Sequence, residues 1–258
     1  MSVLDVVALS KSFGGVRALW EVDFNVAEAE FLALIGPNGA GKSTCFNIIN
    51  GQLKPDAGDV RLQGRSIAGR KPRDIWRLGV GRTFQIAATF GSMTVAENVQ
   101  MALISHAGQI YRFGRAATYH RARALELLDQ VGMRAAADRA CRELAYGDVK
   151  RIELAIALAN EPRLLLMDEP TAGMARRERN ELIALVKRLV VERGISVLFT
   201  EHSMDVVFAF ADRIVVLARG RVIADGDVQA IRDHPQVREV YFGTGKTFAR
   251  VPAQEHQP

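Results

Sequence analysis

The chain has 258 residues, of which 48% are hydrophobic and 24% charged, and this composition can bury the core of one large globular domain. It has no run of about eighteen apolar residues, and Asp5 lies where a signal peptide would be basic, so we expect neither a membrane-spanning helix nor secretion. The net charge of +5 is too small to indicate a nucleic-acid partner. The two cysteines predict no disulfide and suit a reducing cytosol, with Cys45 as a small buried residue.

Short stretches near the N-terminus alternate apolar and polar side chains. They lie at residues 3–7, 24–26 and 60–62, and Gly and Asp residues separate them. Alternation with a period of two is typical of strands that bury one face. We therefore predict an antiparallel sheet in this part of the chain.

Phe13 precedes Gly14 and Gly15 in this region. An aromatic ring in a turn-rich segment can lie flat against a nucleotide base, a contact worth about 1–3 kcal/mol. It can equally well pack in an apolar core, and the residue alone does not decide between the two.

Residues 36–44 follow the apolar run Phe31–Ile35 and read Gly-Pro-Asn-Gly-Ala-Gly-Lys-Ser-Thr. They match the phosphate-binding pattern G-x-x-x-x-G-K-[ST]. Glycines let successive N–H groups face phosphate oxygens, and the following helix adds its positive end. Lys42 is expected to neutralise the outer phosphates, and Ser43 to offer its hydroxyl to Mg²⁺. The alternative is a glycine-rich turn without a ligand. The candidate nucleotide-binding residues are Gly36, Asn38, Gly39, Ala40, Gly41, Lys42, Ser43 and Thr44.

Two features follow in the middle of the chain. Residues 79–85 end in Gln85, whose neutral amide is able to contact both a magnesium-bound water and a mobile neighbour. Residues 93–159 then favour helices, most clearly at 97–104, 122–131 and 149–158. These helices predict an insertion within an α/β core.

Continuous apolar runs occur at residues 164–167, 197–199 and 214–217. Each run is short, is bounded by polar residues and is separated from the next by a helical stretch. This pattern predicts the buried strands of a parallel sheet. Residues 244–258 lack periodic apolar positions and are expected to form a loose tail.

Three polar side chains follow these predicted strands. Asp168 and Glu169 end the first run, and His202 follows the run Ile195–Thr200. Ligand sites in open α/β sheets lie at the carboxyl ends of the strands. Asp168 is suited to hold Mg²⁺ through water, Glu169 to orient or deprotonate an attacking water, and His202 to donate to a γ-phosphate. The alternatives are a solvated strand end and a structural histidine.

Taken together, residues 3–243 resemble the ATP-binding subunit of an ABC transporter, with its motifs in the expected order. This resemblance implies one P-loop NTPase domain with a RecA-like parallel core. The core and an N-terminal antiparallel β subdomain would take residues 1–85 and 159–243, a helical insertion 86–158, and a loose tail 244–258. The matching motifs are Gly36–Thr44 (Walker A), Gln85 (Q-loop), Leu144–Asp148 (signature), Leu164–Glu169 (Walker B), Thr171–Ala175 (D-loop), His202 (switch histidine) and Phe13 (adenine-stacking A-loop).

The resemblance also implies a set of ligands and roles. ATP and Mg²⁺ would bind between two cassettes, with Tyr146 and Gly147 of one signature facing the ATP of the other. Glu169 would act as the base and Gln85 and His202 as γ-phosphate sensors. The implied magnesium ligands are Ser43, Gln85 and Asp168.

Family partners follow from the same resemblance. They are transmembrane permease subunits, a second ATPase subunit and, indirectly, a solute-binding protein. The chain would lie peripherally on the cytoplasmic face of the inner membrane. We expect a permease segment to contact the residues from Phe84 to Phe90.

Narrower matches resemble the branched-chain amino-acid importers, and related urea and amide importers look similar. The matching segments are residues 81–85, 93–99, 144–147 and 237–243. One alternative is the lipopolysaccharide-export ATPase, whose C-terminal ending is similar. Another is a soluble ABC ATPase acting on ribosomes or DNA, a group that typically has two cassettes in one chain or a long coiled coil.

Three positions depart from the common family pattern. Ala145 replaces the signature serine, Asp148 replaces a neutral amide, and Ala175 replaces the usual Asp or Asn of the D-loop. A carboxylate near a phosphate weakens binding unless it points away. We therefore expect a heterodimer with a differently sequenced cassette, and a homodimer is the alternative.

Overall fold

A computed structural model describes residues 2–83, 89–108 and 119–242 of the chain. The strands, in chain order, are β1 (Ser2–Phe13), β2 (Val16–Ala27), β3 (Phe31–Ile35), β4 (Ala57–Leu62), β5 (Arg65–Ser66), β6 (Val80–Thr83), β7 (Leu164–Asp168), β8 (Ser196–Thr200), β9 (Arg213–Ala218) and β10 (Arg221–Gly226). The α-helices are α1 (Lys42–Ile49), α2 (Pro72–Arg77), α3 (Val95–His106), α4 (Arg121–Gln130), α5 (Tyr146–Leu158), α6 (Arg176–Arg193), α7 (Met204–Phe210), α8 (Val228–Asp233) and α9 (Pro235–Phe242).

These strands form two sheets. The larger has six strands in the order β10-β9-β3-β8-β7-β6, and its neighbours pair in parallel except β10, which is antiparallel to β9. The smaller has four antiparallel strands in the order β2-β1-β4-β5. The predicted fold class, an α/β protein with a parallel core and an N-terminal antiparallel sheet, is confirmed.

The parallel sheet lies between two apolar cores because alternate residues of each strand face opposite sides. In β3, Phe31, Ala33 and Ile35 pack with residues of α3, α5 and α6. Leu32 and Leu34 pack instead with α1 and the antiparallel sheet. Burial on both faces explains why the central strands are uninterrupted apolar runs.

The three helices predicted between residues 93 and 159 are present as α3, α4 and α5. A capping box starts α3, because Glu97 N donates to Thr94 Oγ1 at 3.2 Å and Thr94 N donates to Glu97 Oε2 at 2.8 Å. Within the three described ranges, no helix is long and apolar enough to cross a membrane. Cys45 and Cys141 are buried free thiols, and burial raises the pKa of Cys45 to about 12.

Three strands were not predicted. β5 has only two residues, both exposed, and gave no strand signal. β6 carries only one large apolar residue, Val80, beside Gly81 and the polar Arg82 and Thr83, so it gave no strand signal. β10 is a half-exposed edge strand. The predicted subdomain boundaries stay a prediction, since residues 84–88, 109–118 and 243–258 lie outside the described part of the chain.

The parallel register determines where the polar strand ends meet. Asp168 at the end of β7 pairs with Thr200 at the end of β8, and β8 also pairs with β3. The loops that follow β3, β7 and β8 therefore leave the sheet at the same edge. The phosphate loop, the residues after Asp168 and His202 all lie there.

Candidate functional site

The phosphate loop joins β3 to the N-terminus of α1. Gly41 precedes the helix with φ 108° and, as a glycine, supplies no side-chain cap. Cys45 N donates to the Gly41 carbonyl at 2.9 Å, so the N–H groups of residues 42–44 begin the helix without intrahelical acceptors. Free N–H groups at the positive end of a helix suit phosphate oxygens. The donors of this loop therefore fit the phosphates of a nucleotide.

Two glycines are required by close backbone contacts. A Cβ on Gly36 would lie 2.2 Å from the Leu217 carbonyl oxygen, and a Cβ on Gly41 would lie 2.4 Å from the Ala18 carbonyl oxygen. Strands β9 and β2 thus pack directly against the loop and determine its curvature. The other predicted loop residues have mixed burial: Asn38, Gly39 and Ser43 are exposed, Thr44 is half-buried and Ala40 is buried.

Lys42 is a buried cation within this loop. Its Nζ donates to the carbonyl oxygens of Gly36 at 2.6 Å and Pro37 at 3.2 Å. Burial lowers the pKa of Lys42, and the negative charges of Glu169 and Asp168 oppose that shift. The ammonium is therefore close enough to both carboxylates to interact with them electrostatically. The structure brings the two halves of the predicted site together.

Thr200 connects the two carboxylate residues. Its hydroxyl donates to Asp168 Oδ1 at 2.8 Å, and its Oγ1 accepts from Glu169 N at 3.0 Å. Glu169 has φ 48°, a left-handed conformation that is uncommon for a residue with a side chain. The backbone turns sharply at Glu169, so its side chain leaves the strand in a different direction from that of Asp168.

Glu169 and His202 form a side-chain pair. Glu169 Oε1 lies 2.7 Å from His202 Nε2, and the side chains are 21% and 52% exposed respectively. His202 is thus accessible from outside while it contacts the predicted base. A neighbouring pair holds the start of the D-loop, where buried Glu201 accepts from Thr171 N at 3.0 Å and from Thr171 Oγ1 at 2.6 Å.

Arg82 is a further charged residue at this edge. Its Nη2 lies 3.5 Å from Asp168 Oδ2, and its Nη1 contacts Asn47 Oδ1 at 3.1 Å and Gln52 Oε1 at 3.3 Å. Asp168 belongs to the Walker B strand, whereas Asn47 lies on α1 and Gln52 just after it. The predicted site residue Gln85 lies three positions further on, outside the described residues.

The signature begins α5. Ala145 occupies the N-cap position with no side-chain capping bond, and Tyr146 is 45% exposed. A Cβ on Gly147 would lie in ordinary contact with Met174 and Glu178, at 3.5 Å or more. The signature therefore packs beside the D-loop of its own chain, and its N-cap residue forms no side-chain bond to the first helical N–H groups.

Phe13 lies at the end of β1 and is 48% exposed. The core-packing alternative for this residue is therefore wrong. Its ring remains accessible, with Lys11 Nζ 5.6 Å from the ring centroid. Stacking on adenine stays a prediction.

Sequence reasoning missed Arg82, Thr200 and Glu201 as parts of this site. Thr200 carried a signal, since it ends the apolar run before His202 just as Asp168 ends the run before Glu169. Arg82 carried no such signal, because the residues of β6 have almost no apolar pattern. Its partner Asp168 is 86 positions away, which sequence spacing does not reveal.

Comparison with known proteins identifies the family. The model of the ABC transporter family matches residues 19–172, more than half of the chain. This chain belongs to the ABC transporter ATP-binding family. A second model, described as branched-chain amino acid ATP-binding cassette transporter, matches residues 221–247.

Individual relatives agree with this assignment. The chain is 37% identical to BraF of Pseudomonas aeruginosa, a high-affinity branched-chain amino acid transport ATP-binding protein, over 93% of this chain and 98% of that protein. It is 36% identical to LivG of Escherichia coli, which has the same description, with the same coverage. The ADP conformation of MJ1267, a cassette of an ABC transporter, superimposes with a TM-score of 0.85 at 31% identity, covering 94% of this chain and 99% of that chain. The predicted ABC ATPase assignment is confirmed.

Proposed function

We propose that this chain binds and hydrolyses MgATP to energise an importer of branched-chain amino acids or related amides. The observation that carries the proposal is the arrangement of Lys42, Asp168 and Glu169 at one edge of the parallel sheet. The match of residues 221–247 to a branched-chain amino-acid transporter model supports the solute class. ATP hydrolysis and solute import are proposed together because the chain belongs to a family of transporter ATPases.

Phosphate binding follows from the loop. The N–H groups at the start of α1 and the ammonium of Lys42 offer donors to phosphate oxygens. Ser43 and Asp168 offer hard oxygen ligands of the kind that Mg²⁺ prefers, and Gln85 is proposed as a third. When bound, Mg²⁺ neutralises charge on the phosphates and supports the departure of ADP. Phe13 is proposed to stack on the adenine ring.

Glu169 is proposed as the general base. It accepts a proton from the water that attacks the γ-phosphorus, while the bond from that phosphorus to the β-phosphate bridging oxygen breaks. His202 contacts one carboxylate oxygen of Glu169, which restricts the orientation of the side chain. Gln85 and His202 are proposed to respond to the γ-phosphate.

A second protomer is proposed to complete the site. The N-terminus of α5 has no side-chain cap, so the N–H groups near Tyr146 and Gly147 are available to the γ-phosphate of ATP held by a partner. ATP then holds two cassettes together and ADP does not. Opening after hydrolysis would move the attached permease subunits.

The departures from the family pattern support a heterodimer. Asp148 places a carboxylate in the first turn of α5, where it opposes binding of a phosphate. Ala175 is the N-cap of α6 and forms no capping bond, so this D-loop presents no polar side chain there. A differently sequenced cassette would supply the missing groups, and a homodimer is the rival arrangement.

Permease subunits are the proposed membrane partners. Phe90 is 58% exposed and follows the predicted Q-loop, whose residues 84–88 lie outside the described part of the chain. An exposed aromatic ring of this size suits a protein contact. This arrangement would hold the chain on the cytoplasmic face of the inner membrane, and a solute-binding protein would act only through the permeases.

Reconstituted transport tests the proposal. The chain is purified with the permeases and second cassette that co-purify from membranes, and uptake of labelled leucine and of labelled urea into proteoliposomes is measured. We expect ATP-dependent leucine uptake that Glu169→Gln abolishes while ATP binding remains. Co-purification with lipopolysaccharide-export permeases, or equal uptake with Glu169→Gln, would contradict the proposal.

A further inference from the structure

Arg82 contacts three polar side chains at the edge of the nucleotide site. Its guanidinium contacts Asp168, Asn47 and Gln52 at 3.5, 3.1 and 3.3 Å, and its side chain is only 11% exposed. Arg82 also lines a cavity of about 360 Å³ together with Trp76. These neighbours restrict the side chain to a narrow range of positions.

Asp168 is held by two different donors. Thr200 donates to Oδ1, and the Arg82 guanidinium faces Oδ2. One oxygen thus has a neutral donor and the other a cation, so the carboxylate plane is determined before any ligand arrives. Groups that orient a metal-binding carboxylate in this manner affect metal affinity although they do not touch the metal.

The contacts of Arg82 require a planar fork. A guanidinium presents several N–H groups in a fixed plane and is able to contact a carboxylate and two amide oxygens together, whereas a lysine ammonium is a single point charge. Asn47 lies on α1, the helix that follows the phosphate loop. Arg82 therefore joins the Walker B strand to the Walker A helix.

We propose that Arg82 is a positioning residue for Asp168, the proposed magnesium carboxylate, and that it links this carboxylate to α1. The inference rests on the proposed MgATP site and deepens it. The role of Arg82 is to fix the orientation of Asp168. Replacing Arg82 should therefore weaken ATP binding in the presence of Mg²⁺. It should leave the ATP affinity without Mg²⁺, which the phosphate loop provides, unchanged.

Calorimetry separates these two parts. ATP affinity is measured in EDTA and in saturating Mg²⁺, in the Glu169→Gln background that prevents hydrolysis, and the ratio of the two Kd values is the magnesium gain. We expect Arg82→Met to leave the EDTA value unchanged and to reduce the magnesium gain about tenfold or more. Arg82→Lys should recover only part of it, since the charge returns without the fork.

Arg213 supplies a matched control. Arg213 also forms ion pairs with two carboxylates, those of Asp225 and Glu30. It begins β9, so it lies at the amino-terminal ends of the parallel strands, opposite the nucleotide site. Arg213→Met should keep the full magnesium gain. An unchanged or larger gain in Arg82→Met, or an equal loss in Arg213→Met, would overturn the role of Arg82. Absence of ATP binding in the Glu169→Gln background alone would instead overturn the proposed function.

Discussion

At the scale of single residues, Thr200 shows how a small side chain organises the site. One hydroxyl contacts the side chain of Asp168 and the backbone of Glu169, so it fixes both carboxylate residues with one atom. Thr200 is fully buried, where each missing partner is costly. Thr200 therefore orients Asp168 and Glu169 without adding a charge to the site.

Thr200→Val tests this organisation because valine has the same shape and lacks the hydroxyl. We expect kcat for ATP to fall about 10–100-fold, as for other groups that orient metal-binding residues. The free energy of unfolding should fall by about 1 kcal/mol, since Asp168 Oδ1 loses the Thr200 hydroxyl as donor while Glu169 N keeps the Thr200 carbonyl oxygen at 3.2 Å. Steady-state kinetics and urea unfolding measure the two effects.

Thr200→Ser is the control, because serine restores the oxygen. It should recover most of the lost kcat at little cost in stability. If Thr200→Val turned over ATP at the wild-type rate, the bond between Thr200 and Asp168 would have no part in catalysis.

At the scale of secondary-structure elements, the phosphate loop depends on the strands beside it. Gly41 has a positive φ and also approaches the Ala18 carbonyl of β2. Gly39 has a positive φ as well, but a Cβ at that position would have nothing within 4 Å. A side chain at position 39 would therefore cause backbone strain alone, whereas one at position 41 would cause both strain and a steric clash.

Gly39→Ala and Gly41→Ala measure this difference. Gly39→Ala should cost only the left-handed backbone strain, about 1–2 kcal/mol. Gly41→Ala should destabilise the protein further, because β2 or α1 must shift to admit the methyl group. Urea unfolding gives both values, and equal destabilisation by the two substitutions would show that β2 does not constrain the loop.

Sequence patterns predicted those elements whose signal is local. The continuous apolar runs that became β7, β8 and β9 and the periodic stretches that became α3, α4 and α5 needed no knowledge of distant residues. β6 was missed because Gly81 and two polar residues leave it almost no apolar pattern, and its identity depends on pairing with β7. Arg82 was missed for the same reason, since only that pairing places it beside Asp168.

At the scale of the whole molecule, this chain is proposed to be half of a functional unit. Its signature helix has an uncapped N-terminus that suits an anion, but Asp148 and Ala175 make it a poor match for a second copy of itself. These two residues predict that the chain associates with a different cassette in preference to a second copy of itself.

Light scattering after size exclusion tests this pairing with Glu169→Gln protein and ATP. We expect the chain alone to remain monomeric and to dimerise when the second cassette of its transporter is added. Asp148→Gln combined with Ala175→Asp should favour a homodimer, because it removes a repulsive charge and restores a polar D-loop group. An ATP-dependent homodimer of the unaltered sequence would contradict the heterodimer.

The central claim is that the loop carrying Lys42 holds the phosphates of ATP. Its most direct test is calorimetry of ATP association with the intact chain in Mg²⁺, compared with Lys42→Ala. Burial already disfavours the charged form of Lys42, so this replacement should leave the protein folded. The account predicts a clear heat of binding for the wild type and its loss in Lys42→Ala. No heat with the wild type, or equal affinity in both proteins, would contradict it.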